Sequence, residues 1–207
     1  FPGGSGGSPR RRGKGHGLGF TLNIGWGGPR VGDLEYLVAA TSLLLPVAHQ
    51  FAPELVLVSA GFDAGKGDPL GGCQVTPPTF GVLTHLLAGL AGGRLVLLLE
   101  GGYNLEATAE GVSHCLRVLL GAPATLPSPS PNPLQPSALV ALARTLRAHR
   151  PFWASLRLPL PRPDVTGPPH DITERPSEVM EGEPPAPSLL EAAIEGLEGL
   201  KFEGEGP

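Results

Sequence analysis

Two oxygen-bearing side chains follow two apolar segments of this chain. The first segment, residues 55–58 (Leu-Val-Leu-Val), precedes Asp63, and the second, residues 94–100, precedes Tyr103. Because ligands of open α/β sheets bind at the carboxyl ends of strands, we expect both side chains at one functional edge. A carboxylate is a suitable ligand for a hard metal ion, and a phenol can donate a hydrogen bond to a developing oxyanion.

Each of these side chains also has a simpler structural interpretation. Asp63 is equally suited to capping a turn or the next helix. Tyr103 is also compatible with an ordinary packed aromatic residue whose hydroxyl lies in water. Gly101 and Gly102, between the second segment and Tyr103, allow the backbone to turn sharply and approach a ligand closely. Residue types and spacing alone leave the structural and the chemical interpretation open.

Strand-like and helix-like segments alternate along the first three quarters of the chain. We predict strands at residues 20–26, 55–58 and 94–100, and the uncharged segment 55–58 predicts burial on both faces of a sheet. This alternation indicates an α/β fold with parallel strand pairing. The helices are predicted from Asp33 to about Phe51, from Thr76 to Gly92, from Asn104 to Leu120 and from Ser137 to His149.

Several details of these helices follow from single residues. Asp33 is predicted to cap the first helix, and Pro46 to kink it or end its regular part. His49 and His85 are expected at the surface, and Trp153 against the core. The predicted buried stripes are Phe80, Leu83, Leu86, Leu87 and Leu90 on the second helix, Ala109, Val112, Leu116 and Leu119 on the third, and Leu139, Leu142 and Leu146 on the fourth.

Composition separates a folded part from a polar tail. We expect one folded domain over residues 1–158 and a disordered, Pro- and Glu-rich tail over 159–207, with a short helix at 188–202 as a segment for protein partners. The net charge of −4 argues against direct nucleic-acid binding and against binding to an anionic membrane. Two separated cysteines and the lack of a membrane-spanning run predict a cytoplasmic location, with the nucleus as the alternative.

Four longer blocks carry a resemblance to a known family. The blocks SAGFDAGKGDPLGG, LEGGYNL, GFTLNIGWGGPRVGD and FAPELVLVSAGFD resemble the zinc-dependent histone deacetylases, with class IIb the most similar. The resemblance implies a three-layer, parallel-sheet arginase/deacetylase-like α/β fold, of which we expect only the C-terminal half here. It also implies hydrolysis of N-acetyl-lysine in protein substrates such as histones or tubulin.

The resemblance assigns roles to individual residues. Asp63 matches the second zinc-ligating aspartate, and Tyr103 matches the tyrosine that donates a hydrogen bond to the oxyanion. Leu70 matches a residue at the rim of the acyl-lysine tunnel, and Phe1 matches a phenylalanine of the tunnel wall. Gly101 and Gly102 are expected to line the substrate site through their backbone.

The sequence departs from the family at two motifs. The family's zinc site also uses an Asp-x-His pair and its general base is a His-His dyad, but neither motif occurs in these 207 residues. We therefore expect the chain alone to bind zinc poorly and to turn over substrate slowly. A second hypothesis is a non-catalytic remnant that acts through its tail. A dinucleotide-binding enzyme is disfavoured, because no strand precedes the glycine-rich segment 13–19.

Overall fold

The computed structural model describes residues 6–28 and 30–157. Phe1, the tail at 159–207 and its predicted helix at 188–202 lie outside the described residues. No helix of the described part is long and apolar enough to cross a membrane. The elements in chain order are α1 (Asp33–Ala39), a π-helical turn (Ala40–Leu44), α2 (Leu45–Phe51), β1 (Val56–Ala60), α3 (Pro77–Ala88), β2 (Leu95–Leu99), α4 (Leu105–Leu119) and α5 (Pro136–His149), with short 3₁₀ turns at Gly15–Gly17, Ala91–Gly93 and Ala154–Leu156.

The predicted parallel pairing is confirmed between β1 and β2, with Val58 opposite Leu97. The face that carries Val58 and Leu97 borders a cavity that α3 also lines. The opposite face is open, because Leu57 retains 63% of its accessible surface. The prediction that residues 55–58 are buried on both faces is therefore wrong for the described part of the chain, where no helix covers that second face.

The predicted strand at residues 20–26 is absent, and this segment belongs to no helix or strand. A strand needs a ladder of main-chain hydrogen bonds with a neighbour, and the described residues supply none at this position. Hydrogen bonds between side chains and backbone carbonyls hold the segment instead. The Asn23 amide donates to the carbonyls of Gly6, Ser8 and Arg11 at 3.1–3.3 Å, and the Thr145 hydroxyl donates to the Asn23 carbonyl at 2.8 Å.

The long helix between Asp33 and Phe51 is interrupted as predicted, in the form of a π-helical turn. Pro46 has no N–H to donate to the preceding turn, which removes one hydrogen bond of the α-helical pattern. The backbone N–H of Leu45 instead donates to the carbonyl of Ala40, five residues earlier. The extra residue in this turn thus accommodates the proline without ending the helix.

The Asp33 carboxylate caps a different helix from the one predicted. Gly32 is the residue that precedes the first turn of α1, and the Glu35 carboxylate accepts a hydrogen bond from the Gly32 N–H at 2.9 Å. Asp33 instead accepts hydrogen bonds from the N–H and hydroxyl of Thr76 and from the hydroxyl of Thr79, at 2.7–2.9 Å. The start of α3 is therefore fixed to α1 by one carboxylate.

The buried stripe predicted for α4 is also wrong. Gly111 and Cys115 are the buried residues of this helix, whereas Leu116 is 52% exposed. A Cβ atom at Gly111 would lie 2.8 Å from the Phe62 ring, so only glycine permits this approach. Close backbone packing has therefore turned the small residues of α4 inward. Of the stripe predicted for the second helix, Leu90 is buried, but Phe80, Leu83, Leu86 and Leu87 are only half-buried, since Thr79 and Val82 face the core instead.

The glycine-rich N-terminal segment packs against α5 and the turn that follows it. The Trp153 indole N–H donates to the Gly19 carbonyl at 2.9 Å, and the indole is buried as predicted. The Arg12 guanidinium lies 5.2 Å from the centre of the Phe152 ring. His149 is fully buried next to this contact, and neither ring nitrogen makes a hydrogen bond of good geometry with the described residues. Burial, followed by the Arg12 charge, lowers the pKa of His149.

We predict that mild acid destabilises the chain through His149. The imidazole is neutral in the folded chain but accepts a proton near pH 6.5 when unfolded, so stability falls as the pH drops below that value. For one proton the slope is at most about 1.4 kcal/mol per pH unit. Denaturant unfolding at pH 7.5 and 5.5 measures this loss.

The variants His149→Leu and His16→Gln provide the comparison for this prediction. The leucine side chain of the first variant cannot titrate, so the pH dependence should shrink. His16 is exposed, so the second variant should leave the pH dependence unchanged. An unaltered pH dependence in His149→Leu would show that His149 is not the titrating group.

Candidate functional site

The Asp63 carboxylate lies in a niche formed by two glycines. A Cβ atom added to Gly61 would lie 2.9 Å from its Oδ1, and one added to Gly101 would lie 2.9 Å from its Oδ2. A side chain at Gly71 would collide with the Asp63 carbonyl. Glycines from both segments that follow the strands thus surround this half-buried residue, and larger residues would displace it.

The turns that follow the two strands are joined beside this niche. The N–H of Phe62 donates to the carbonyl of Gly101 at 2.8 Å, and the N–H of Glu100 donates to the carbonyl of Ala60 at 3.0 Å. These bonds continue the parallel ladder past the last residues of β1 and β2. The segment that carries Asp63 and the segment that carries Tyr103 therefore leave the sheet side by side.

The Asp68 carboxylate forms a second link between these segments. Its Oδ1 accepts hydrogen bonds from the N–H groups of Leu70 at 2.8 Å and Gly71 at 2.9 Å. Its Oδ2 accepts hydrogen bonds from the N–H groups of Tyr103 at 2.6 Å and Asn104 at 3.3 Å. One side chain thus binds the backbone of both predicted functional residues that follow the strands, Leu70 and Tyr103.

These hydrogen bonds favour the charged form of Asp68. Desolvation raises the pKa of its carboxyl, but the N–H groups of Tyr103, Gly71, Leu70 and Asn104 outweigh that effect, so the pKa lies below its ordinary value. The group is therefore a carboxylate at neutral pH, which is the form that accepts four donors.

Asn104 reinforces the same link from the other side. Its side-chain oxygen accepts a hydrogen bond from the Ala107 N–H at 3.1 Å, which caps the first turn of α4. Its side-chain NH₂ donates to the Gly67 carbonyl at 3.0 Å. The start of α4 is thus attached to the turn that precedes Asp68.

The other predicted site residues differ in their exposure and in their contacts. The Tyr103 side chain is 56% exposed and the Leu70 side chain is 70% exposed, so both are accessible from solvent. Gly102 has a φ of 134°, and its Cα faces Phe62 and Thr108. The structure therefore brings Asp63 and Gly101 into contact and ties Leu70 and Tyr103 to them through backbone. Phe1 lies outside the described residues.

A group of half-buried side chains lies next to Asp63, on the side that faces the cavity. The Tyr36 hydroxyl lies beside the side chains of Trp26 and Cys73, and the Trp26 and Tyr36 rings lie 5.6 Å apart. Burial, followed by the proximity of Cys73, raises the pKa of Tyr36 to about 12. Burial also raises the pKa of the Cys73 thiol, which is therefore protonated at neutral pH. These groups are neutral and hold the inner wall of the site.

A cavity of about 550 Å³ adjoins this group. Asp63, Tyr36 and Trp26 line it, together with apolar residues of α1, β1 and α3. Leu70 and Tyr103 are not among its lining residues. Of the predicted site residues Asp63, Leu70 and Tyr103, only Asp63 therefore borders this cavity.

The described residues fit one ligand position of a zinc site and do not complete the site. Asp63 offers a carboxylate for which its glycine niche leaves room. No group of three His, Cys, Asp or Glu side chains within residues 6–28 and 30–157 is arranged to hold a metal ion. A catalytic zinc site needs about three protein ligands, so the remaining ligands are not assigned here.

Sequence inspection missed Asp68 and Asn104. The signal for Asp68 was its position before Pro69, because Asp followed by Pro favours a turn in which the carboxylate accepts nearby N–H groups. Asn104 directly before a helical segment is a typical cap. The long-range bonds from Tyr103 to Asp68, across 35 residues, have no local signal.

Comparison with known proteins gives consistent matches. The model of the histone deacetylase domain family matches residues 1–119. The human polyamine deacetylase HDAC10 is 45% identical over 179 residues, covering 83% of this chain and 26% of the relative. The Saccharomyces cerevisiae histone deacetylase HDA1 is 40% identical over 158 residues, covering 76% of this chain and 22% of the relative. The chain thus spans about a quarter of these relatives' length.

Solved structures agree with this result and with the predicted arginase/deacetylase-like fold. The histone deacetylase Clr3 superposes with a TM-score of 0.73 at 35% identity, covering 76% of this chain and 26% of that chain. The HD domain of HDA15 superposes with a TM-score of 0.67 at 37% identity, covering 76% of this chain and 41% of that chain. The chain therefore belongs to the histone deacetylase family, as a class II-like member.

Proposed function

We propose that this chain contributes one wall of a zinc-dependent deacetylase centre that hydrolyses N-acetyl-lysine in proteins such as histones or tubulin. The carrying observation is the Asp63 carboxylate, held in a glycine niche beside the turn that leads to Tyr103. A half-buried carboxylate and a solvent-accessible phenol at neighbouring strand ends suit the hydrolysis of an amide. Membership of the deacetylase family supports the same assignment.

Each residue has a separate role in this proposal. Zinc, when bound, supplies a Lewis acid, and Asp63 is the residue of this chain that would hold it. The hydroxyl of Tyr103 donates a hydrogen bond to the acetyl oxygen as negative charge develops on it. Gly101 leaves room for the Asp63 carboxylate, and Gly102 lets the chain turn toward Tyr103. The base that accepts the proton of water is not assigned to any of the described residues.

The apolar side chain of Leu70 favours an acetylated protein over an acetylated polyamine as the substrate. The side chain is apolar and 70% exposed at the rim of the proposed site, where it can contact the acyl-lysine stem or the peptide. An acidic residue there would instead attract the additional ammonium groups of a polyamine. The name of the human relative assigns that relative to polyamines, so substrate class is open to a direct test in this chain.

A non-catalytic role is the second candidate. The observation behind it is that no group of three His, Cys, Asp or Glu side chains among the described residues is arranged to hold a metal ion. In this role the chain would retain the deacetylase fold and act through protein contacts of its tail. The two candidates differ in whether Asp63 and Tyr103 support turnover when the other zinc ligands are supplied.

A hybrid enzyme tests this difference. We expect activity to survive when the matching 158-residue segment of yeast HDA1 is replaced by this chain's segment, because the hybrid supplies the family motifs. Asp63→Asn and Tyr103→Phe should each lower turnover of an acetyl-lysine peptide, by about 100- to 1,000-fold for Tyr103. Glu110→Gln, an exposed change on α4, is the control. Full activity in Tyr103→Phe would contradict the proposal.

A second prediction concerns the glycine niche. Gly101→Ala in the hybrid should reduce both bound zinc and turnover, since the new methyl group would lie 2.9 Å from the Asp63 Oδ2 and displace it. Gly17→Ala is the matched control, because nothing lies within 4 Å of its Cβ position. Elemental analysis and peptide turnover are the measurements. Normal zinc content in Gly101→Ala would mean that Asp63 is not a ligand.

The third prediction addresses substrate class. Leu70→Glu in the hybrid should shift the ratio of kcat/KM values from the acetyl-lysine peptide toward an acetylated polyamine, because the new carboxylate attracts a cationic substrate. Leu120→Glu adds the same charge at a site that is 85% exposed beyond α4, and should leave the ratio unchanged. A ratio that does not move in Leu70→Glu would remove Leu70 from the rim.

A further inference from the structure

We infer that Asp68 is a positioning residue that sets the Tyr103 turn against the Leu70 turn through its two carboxylate oxygens. The inference rests on the proposed function, in which Tyr103 donates to the acetyl oxygen and Leu70 borders the substrate. It adds that the oxyanion donor and the substrate rim share one acceptor and are held in register by it. Asp68 itself need not touch substrate or metal.

The two carboxylate oxygens of Asp68 accept hydrogen bonds from different segments of the chain. Oδ1 serves only the local N–H groups of Leu70 and Gly71, and Oδ2 serves only the distant N–H groups of Tyr103 and Asn104. Purely local turn formation would need the first pair alone. The 2.6 Å bond from Tyr103 is the shortest of the four, so the long-range pair is an integral part of this arrangement.

The chemistry of the carboxylate explains why this position suits aspartate. A carboxylate has two equivalent acceptor oxygens and no donor, whereas an amide has one oxygen and an NH₂ group. An asparagine could satisfy only one pair of N–H groups and would point donors at the other pair. Hydrogen bonds to a charged acceptor are also stronger than those between neutral groups.

The Tyr103 ring depends on its backbone for direction. It is 56% exposed, and within the described part of the chain it has no aromatic neighbour and no side-chain hydrogen bond. The hydroxyl is the atom of this residue farthest from the backbone, so a small rotation at the turn displaces it most. Fixing the Tyr103 N–H is therefore an effective way to fix the hydroxyl before substrate binds.

The test uses the full chain and needs no turnover. Tyr36 and Tyr103 are the two tyrosines, so 3-fluorotyrosine labelling gives two ¹⁹F resonances, which Tyr36→Phe assigns. In Asp68→Ala we expect the Tyr103 resonance to move toward its position in the denatured chain, while the resonance of the half-buried Tyr36 stays in place. Amide exchange at Leu70, Gly71, Tyr103 and Asn104 should become about tenfold faster or more.

A matched control separates positioning from general loss of stability. Asp33 also accepts hydrogen bonds from another segment, at Thr76 and Thr79, so Asp33→Ala removes a comparable set at the start of α3. We expect Asp33→Ala to lower stability without moving the Tyr103 resonance. Asp68→Asn, which preserves size, is the second variant and should give a smaller effect in the same direction if Asp68→Ala does not fold.

The outcomes are distinct. A shifted Tyr103 resonance and faster exchange at the four amides, with Tyr36 unchanged, would establish the positioning role. An unmoved Tyr103 resonance in folded Asp68→Ala or Asp68→Asn, or an equal shift in Asp33→Ala, would overturn it. The proposed function is contradicted by a different result, which is full activity of the hybrid enzyme that carries Tyr103→Phe.

Discussion

The in-register parallel pairing of β1 and β2 is the constraint on which the site depends. The ladder runs from Val56 opposite Leu95 to Ala60 opposite Leu99, and the bond from the Phe62 N–H to the Gly101 carbonyl extends it beyond both strands. Parallel strands have their carboxyl ends at the same edge, so the two following turns must meet. A slip of one residue would turn the side chains to the other face and separate the turns.

Besides the short sheet, side chains that accept hydrogen bonds from distant backbone groups connect the elements of the fold. Asp33 joins α1 to the start of α3, Asp68 joins the turns after β1 and β2, and Glu35 accepts a hydrogen bond from the Gln135 N–H ahead of α5 at 3.1 Å. Each carboxylate satisfies N–H groups at the start of a turn or helix, where the backbone has no internal partner. A few polar residues therefore determine how elements that are far apart in sequence are arranged.

Sequence patterns predicted the elements better than their buried faces. The two strands after residue 55 and the four predicted helices, the first of which is divided into α1 and α2, lie within a few residues of their predicted bounds, because apolar runs, glycines and prolines mark their ends locally. The sequence does not predict that the leucines of α4 face outward, because the close contact between Gly111 and Phe62 decides which face of this helix packs against the core. The segment around Asn23 likewise has strand composition, but composition does not supply a partner strand.

The same distinction applies to the candidate site. Asp63, Leu70 and Tyr103 are recognisable in the sequence because each stands in a distinctive block of residues, and their proximity follows from parallel pairing. Asp68 lies in the same block of residues as Asp63. Its hydrogen bond with the Tyr103 N–H joins residues 35 positions apart, so it is visible only in the structure. Hydrogen bonds of this kind do not require an enclosed core. The edge can therefore be ordered even though Leu57, on the open face of the sheet, is largely exposed.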